Sequence, residues 1–223
     1  KEDINQISRI CEQWGENEDE VREYNVYIIT TASKKAILKK SEKIESDIYT
    51  NYLSKGDFNV PHLYGFLEKD DDNWICIEMI EGDDLRDMTD EIALSAAKTL
   101  GCIQACFWTD DLECTTEDEV KGRFIKYWQR VLRRAQFLAD KPVLRKAYQI
   151  FLDRQLTAPC TLSNGDFLEF NAMFDGEKVV MIDWGFGGMM PYSLDIARFI
   201  AHATETRCTF PFYMNDSQKE LFL

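Results

Sequence analysis

Residues 164–188, NGDFLEFNAMFDGEKVVMIDWGFGG, place Asp166 and Asn171 ahead of Asp175-Gly176 and Asp183 beyond it, with apolar runs on both sides. The segments NAMF and KVVMI around Asp-Gly read as a β-hairpin, because Asp and Gly accept the backbone angles that tight turns require. If Asp175-Gly176 forms a two-residue turn, Asn171 pairs opposite Val180, and Asp183 follows further along the strand, about 10 Å away by strand rise. The side chains of Asn171 and Asp183 then converge on one cluster. An amide oxygen and a carboxylate are hard ligands suited to magnesium, which takes one or two protein oxygens and completes its shell with water and phosphate oxygens. Asp166 is left to act as a general base that orients and deprotonates a hydroxyl. Phosphoryl transfer from a magnesium nucleotide needs this division of labour.

Upstream, Ile4, Ile7, Ile10 and Cys11 fall on one side of a helix, so residues 2–13 are expected to be a short helix. VREYNVYIITTAS and KKAILKK read as strands joined by an Ala-Ser turn. Ser41 is the expected N-cap of a helix carrying Ile44, Ile48, Tyr52 and Leu53 on one face and Glu45 on a neighbouring one. After Val60-Pro61, LYGFLE and WICIEMI read as strands joined by an exposed, Asp-rich hairpin loop. Residues 1–82 are thus expected to form one domain, a small antiparallel sheet with one helix. From Thr89 the pattern changes to long amphipathic helices, roughly 89–108, 119–138 and 142–156, and LDIARFIAHAT reads as another. Residues 83–223 form the second, mainly helical domain, with the boundary near Glu81 to Asp87.

A lysine at the end of the second strand can neutralise phosphate oxygens if a carboxylate on the next helix holds its ammonium. Glu45 is close enough in sequence to do so. Lys39 shares a strand face with Ile37, and Lys40 with Leu38, so the choice depends on which face meets the cleft. Lys39 is preferred.

Composition narrows the function. The formal net charge of −14 over 223 residues argues against a nucleic-acid partner, whose phosphates need a basic surface. It admits a cationic small molecule, although solubility alone explains an acidic surface. The basic run KGRFIKYWQRVLRR, residues 121–134, reads as a solvated helix face. No apolar run approaches the roughly 20 residues a membrane span needs. The seven cysteines are odd in number and lack a disulfide-framework spacing, which favours a reducing compartment. Cys102 and Cys106 are expected to be buried thiols, since a zinc site needs four ligands and only His62 and His202 could add to them. The opening KEDINQISRI has no basic-then-apolar leader, and its lack of Met suggests a few missing N-terminal residues. A cytoplasmic home is expected.

From about Tyr27 to His202 the sequence resembles the aminoglycoside phosphotransferase and choline kinase group of the protein-kinase-like superfamily. That group has a His-Gly-Asp-(four residues)-Asn loop followed by Ile-Asp-Trp/Phe-Gly, and the counterparts here are NGDFLEFN and IDWG. The resemblance implies an α+β, bilobal, protein-kinase-like fold, with a small antiparallel-sheet N-lobe containing one helix and a mainly helical C-lobe. It implies Asp166 as catalytic base, Asn171 and Asp183 as Mg2+ ligands, and Lys39 in AILKK as a phosphate contact paired with Glu45 in ESDIY. The segment IEMIEG, residues 77–82, would be the interlobe hinge, where the backbone around Glu78, Met79 and Ile80 meets the purine of ATP or GTP. The acceptor would be a small-molecule hydroxyl compound, an aminoglycoside by first expectation, with choline, another amino alcohol or a sugar as alternatives.

The sequence departs from the group in three places. Asn164 replaces the usual His, and an amide can still bond neighbouring backbone. Before NVYII, the segment WGENEDEVREY carries Gly15 as its sole glycine, so there is no glycine-rich phosphate loop. The chain ends at MNDSQKELFL, where relatives continue with helices that help form the acceptor pocket, so truncation is weighed. The first two departures motivate the competing class, a pseudokinase or nucleotide-binding interaction module without transfer activity. A protein-kinase role is disfavoured, because no Ala-Pro-Glu-like segment follows IDWG. Asp195 is expected to brace the catalytic segment, Gln104 to pack with a satisfied amide, and His62 to be structural. Trp108, Trp128 and Trp184 could form a cage for a quaternary ammonium group, but core packing is the stronger reading for at least two of them.

Overall fold

The structure is a computed structural model that describes residues 3–13, 21–69, 72–111, 117–205 and 212–223. Strands β1 (Ile4–Gln13), β2 (Val21–Thr31), β3 (Lys35–Ser41), β4 (Leu63–Lys69) and β5 (Asp72–Glu78) form an antiparallel sheet in the order β1-β2-β3-β5-β4. Helix α1 (Lys43–Asn51) buries Ile44 and Ile48 completely, together with Ile75 and Ile77 of the sheet. Each of these side chains contributes about 1.5–3 kcal/mol by leaving water.

The first segment is a strand, not the expected helix. Ile7 lies opposite Ile29 and Arg9 opposite Tyr27 in the β1–β2 ladder. The isoleucine spacing fits a helical stripe, but an isolated helix of about a dozen residues is marginal in water. Pairing with β2 instead satisfies backbone groups along the sheet edge, and β-branched side chains suit that pleated surface. Ile4 and Ile7 stay 55% and 57% exposed, so they never formed the buried face that a helix would need.

Ser41 is also not a helix cap. It closes β3 opposite Asn73, and the N-cap of α1 is Glu42, which makes no side-chain cap bond. Sheet pairing holds Ser41 in the strand and leaves its hydroxyl to donate to Glu45 Oε2 at 2.7 Å.

The chain then crosses over through β6 (Asp83–Asp84) to α2 (Asp90–Cys106), α3 (Glu119–Arg134) and α4 (Pro142–Thr157). Thr89 caps α2 by accepting from Ile92 N, Asp118 caps α3 by accepting from Val120 N and Lys121 N, and Pro142 opens α4, where its missing N–H costs nothing. The buried stripe of α2 runs through Ala96, Leu100 and Ile103. Cys102 and Cys106 lie off that stripe and are exposed, contrary to the expectation of buried thiols, whereas Cys160 is buried. Cys114 and Cys208 lie outside the described residues.

Strand β7 (Cys160–Ser163) precedes the hairpin of β8 (Ala172–Phe174) and β9 (Val179–Met181), and β10 (Gly188–Pro191) returns to pair with β7. The hairpin loop has four residues, not two. Asp175 Oδ1 accepts from both Glu177 N and Lys178 N, and Gly176 takes φ +96°, so Phe174 pairs with Val179 and Ala172 with Met181. Asn171 therefore stands opposite Ile182, whose N–H donates to its carbonyl at 3.0 Å, and not opposite Val180. Asp183 is the next residue.

Helix α5 (Ser193–His202), strands β11 (Thr204–Glu205) and β12 (Phe212–Tyr213), and α6 (Asp216–Phe222) complete the chain. Gln218 of α6 donates to Met88 O at 3.0 Å, which ties the end of the chain to the start of α2. A main core joins the sheet, α1, α2 and the hairpin; a smaller one packs Tyr127, Val131, Leu152 and Met190 between α3, α4 and β10. Among the described residues no helix is long and apolar enough to cross a membrane.

Candidate active site

The cleft between sheet and hairpin is apolar at one end and charged at the other. Its cavity, about 320 Å³, is lined by Val26, Ile28 and Ile37 from above and by Met173 and Ile182 from below, with Lys39, Glu45 and Asp183 at the polar end. Strand alternation puts Ile37 and Lys39 on this face, whereas Lys40 points away to Asp72 at 2.5 Å. The same cavity is bounded by Glu78, Met79 and Ile80 where the chain leaves β5. Glu78 is tied back by its N–H to His62 O at 2.8 Å and by its Oε2, which accepts from His62 N at 3.2 Å. Met79 and Ile80 follow directly after β5 at the edge of this cavity, where their backbone can meet a ligand's polar edge.

Lys39 Nζ bridges Glu45 Oε2 at 3.0 Å and Asp183 Oδ1 at 2.6 Å. Burial alone would lower the lysine's pKa, but the two carboxylates outweigh it and hold the ammonium above its ordinary value. Glu45 is almost wholly buried and also accepts from Ser41 Oγ and from Trp184 N, at 2.7 and 3.1 Å. One carboxylate thus joins β3, α1 and the segment after β9. Asp183 itself takes φ +54°, a left-handed conformation uncommon outside glycine that Asp tolerates better than most residues.

Asp166 sits on the loop after β7. Asn171 Nδ2 donates to its carbonyl oxygen at 2.7 Å and to its Oδ2 at 3.2 Å, and Arg198 of α5 forms an ion pair with Oδ1. The Asn171 amide oxygen accepts no hydrogen bond among the described residues and is free to ligate. Asn164, fully buried, donates through Nδ2 to Ile182 O at 3.1 Å and Asp183 O at 3.0 Å, while its Oδ1 accepts from Asp166 N at 3.2 Å. A single amide therefore locks the Asp166 loop to the Asp183 segment. Below it, Asp195 accepts from Asn164 N at 2.7 Å and Gly165 N at 3.0 Å; burial pushes its carboxyl up to about 6 against the lowering effect of these bonds. Gly165 (φ +79°) must be glycine, because a Cβ there would sit 2.2 Å from Phe186 O.

A second cavity, about 590 Å³, opens on the other side of Asp166. Tyr127, Arg130 and Arg134 of α3, Tyr148 of α4 and Arg198 of α5 line it. Nothing in the motif reading pointed to these arginines. For the two on α3 the signal lay in the basic run read as a solvated face: Arg123, Arg130 and Arg134 recur at helical spacing, which puts them on one side of α3. Arg123 also donates to Gly185 O at 2.8 Å, steadying the turn after Asp183.

Lys39, Glu45, Glu78, Met79, Ile80 and Asp183 thus surround one cleft, and Asn164 links Asp166 and Asn171 to it. Gln104 is buried and its amide donates to Tyr192 O at 2.7 Å, and His62 is exposed with its ring against Tyr64. Trp184 is fully buried, Trp108 packs on Tyr192, and Trp128 stacks on Phe124. Gly15 and its acidic neighbours lie outside the described residues.

The family model described as "Phosphotransferase enzyme family" matches residues 16–212. No curated protein matches the chain. Among solved structures, an aminoglycoside-3'-phosphotransferase of type VIII is 16% identical, covering 95% of this chain and 84% of that one with a TM-score of 0.59. An aminoglycoside phosphotransferase from Streptomyces rimosus, in complex with ADP and streptomycin, is 13% identical over 88% of this chain and 87% of that one, with a TM-score of 0.55. An amicoumacin kinase in complex with AMP-PNP, Ca2+ and Ami is 14% identical over 88% and 67%, with a TM-score of 0.56. All share the fold, an antiparallel-sheet part followed by a helical part.

Proposed function

Since this chain belongs to the phosphotransferase enzyme family, we propose that it moves the terminal phosphoryl group of ATP or GTP to a hydroxyl of a small molecule with magnesium. The observation that best supports this reading is the Lys39 ammonium held between Glu45 and Asp183 at the polar end of an apolar cleft. The cavity has the size of a small-ligand site. The purine occupies its apolar end against the backbone of Met79 and Ile80, and the phosphates reach Lys39.

The donor set fits magnesium. Asp183 offers a half-exposed carboxylate and Asn171 a free amide oxygen, and among the described residues no larger cluster of His, Cys, Asp or Glu competes for a metal. Two protein oxygens plus phosphate oxygens and water make an ordinary magnesium shell. When bound, the ion offsets the negative charge of the phosphates and of the leaving group.

Asp166 accepts the acceptor's hydroxyl proton. The hydroxyl oxygen bonds to the terminal phosphorus as the bond to the bridging oxygen breaks, and the nucleoside diphosphate leaves with that electron pair. Arg198 and Asn171 fix the orientation of the Asp166 carboxylate, and Asn164 keeps its loop in register with Asp183. We place the division between the two lobes at residues 82 and 83, after the last strand of the five-stranded sheet and before β6, which pairs with β8 in a different sheet. The free thiols suit a reducing cytoplasm.

Streptomycin in one structural relative and Ami in another put these compounds among the acceptors to assay. The test is phosphoryl transfer by the wild type and by Asp166→Ala, with nucleotide binding followed separately. The variant should lose on the order of 10²–10⁴ in rate while still binding nucleotide. Transfer at the wild-type rate would remove Asp166 from the chemistry.

A further inference from the structure

We propose that the cavity beyond Asp166 binds an anionic acceptor, a polyhydroxy compound carrying a carboxylate or phosphate group, through Arg130 and Arg134. This inference rests on the phosphotransferase reading for its chemistry, but the charge of the cavity stands by itself.

The lining of the cavity holds three guanidinium groups, from Arg130, Arg134 and Arg198, against one carboxylate, that of Asp166. Arg198 is paired with Asp166. Among the described residues, Arg130 and Arg134 have no carboxylate partner. Glu169 lies behind the wall, wholly buried and bonded to His202 Nδ1 at 2.8 Å, so it does not face the opening. The adjoining cavity continues the same field, with Arg123 and Arg133 against Glu42, while Lys126 there is paired with Glu119 at 3.0 Å. This concentration stands out in a chain whose net charge is −14.

Unpaired guanidinium groups side by side repel one another. Arg130 shows it: burial first, and then the charges of Arg134, Arg198 and Arg123, hold its pKa below the ordinary value. An anion relieves that repulsion, and the planar fork of arginine matches carboxylate and phosphate oxygens with paired hydrogen bonds. A polycation such as an aminoglycoside would add to the repulsion. The remaining wall is aromatic: Tyr127, Tyr148 and Phe151 offer flat faces to the carbon skeleton of a polyol. Because Asp166 closes one end of the same cavity, an acceptor anchored by its anionic group at Arg130 and Arg134 presents a hydroxyl to Asp166.

The experiment measures magnesium-dependent transfer from ATP and GTP to D-gluconate and glycerol 3-phosphate as the carboxylate and phosphate arms. Kanamycin and choline serve as cations and inositol as the neutral compound. At least one anion should be used with a kcat/KM about tenfold or more above any cation. In Arg130→Gln/Arg134→Gln the KM for that anion should rise about tenfold for each arginine removed, with kcat changed less. The KM for inositol should not rise in parallel. Calorimetric titration of citrate into the protein saturated with AMP-PNP gives a readout independent of turnover: wild type should bind citrate, and the double variant at least tenfold more weakly. Preference for kanamycin or choline, or citrate binding that is absent from wild type or unchanged in the variant, overturns the anionic assignment. Arginine-dependent citrate binding without transfer to any acceptor upholds the assignment and defeats the phosphotransferase reading instead.

Discussion

Replacing Asn164 with alanine tests whether one amide holds the site together. The side chain is fully buried and makes three bonds, to Ile182 O, Asp183 O and Asp166 N, at 3.1, 3.0 and 3.2 Å. Alanine leaves two carbonyls and one N–H in the interior without this partner, at about 1–3 kcal/mol for each group stranded. Carbonyls tolerate the loss better than an N–H, so a total of about 3–4 kcal/mol is expected. Urea unfolding reads this directly, and a melting experiment should show a fall in Tm on the order of 10 °C. Asn164→Asp provides the control of direction: it keeps an acceptor for Asp166 N but turns a carboxylate oxygen toward two carbonyls, so it should be at least as destabilising. A loss below about 1 kcal/mol for alanine, or a milder effect for aspartate than for alanine, would show that the amide does not join the two segments.

Three further outcomes follow from the same geometry. Glu45→Ala strips acceptors from Lys39, Ser41 and the buried Trp184 N–H, and should cost about 3–5 kcal/mol in chemical unfolding; a change under about 1 kcal/mol would contradict the three-way contact. Gly165→Ala forces a side chain into φ +79° and against Phe186 O, so stability should fall by at least about 2 kcal/mol and transfer should fall with it. Asp195 has a folded pKa of about 6, above its ordinary value of 3.8, so its contribution to stability is complete below about pH 4 and is lost as pH rises through about 6. The stability of wild type relative to Asp195→Asn should therefore decline over that window by on the order of 3 kcal/mol, and a flat or rising difference would reverse the assignment.

Much of this arrangement was legible in the residues because spacing carries it. Asp166, Asn171 and Asp183 lie on a loop and a hairpin whose geometry follows from a few turn residues, and Lys39 reaches Glu45 through strand alternation and one helical turn. Features that depend on partners far away in sequence were not legible. Whether residues 4–13 are helix or strand is decided by the free edge of β2, not by their own isoleucine spacing. Ser41 has a good capping side chain, but its pairing with Asn73 keeps it in the sheet. The hairpin register moved because Asp175 captures two backbone donors and widens the turn to four residues. The arginines of α3 looked like a solvated face because a single helix cannot reveal what packs opposite; the Asp166 loop, α4 and α5 with Arg198 turn that face into a cavity wall.

The most direct measurement compares thermal unfolding with magnesium plus ATP or GTP in wild type and in Asp183→Asn, a substitution that tolerates the same left-handed φ while removing the charge. Wild type should show magnesium-dependent stabilisation, about 2.7 kcal/mol at a nucleotide concentration 100 times the dissociation constant, and the variant should lose it. No stabilisation by either nucleotide, or a shift that needs neither magnesium nor Asp183, would contradict the proposed magnesium-nucleotide site.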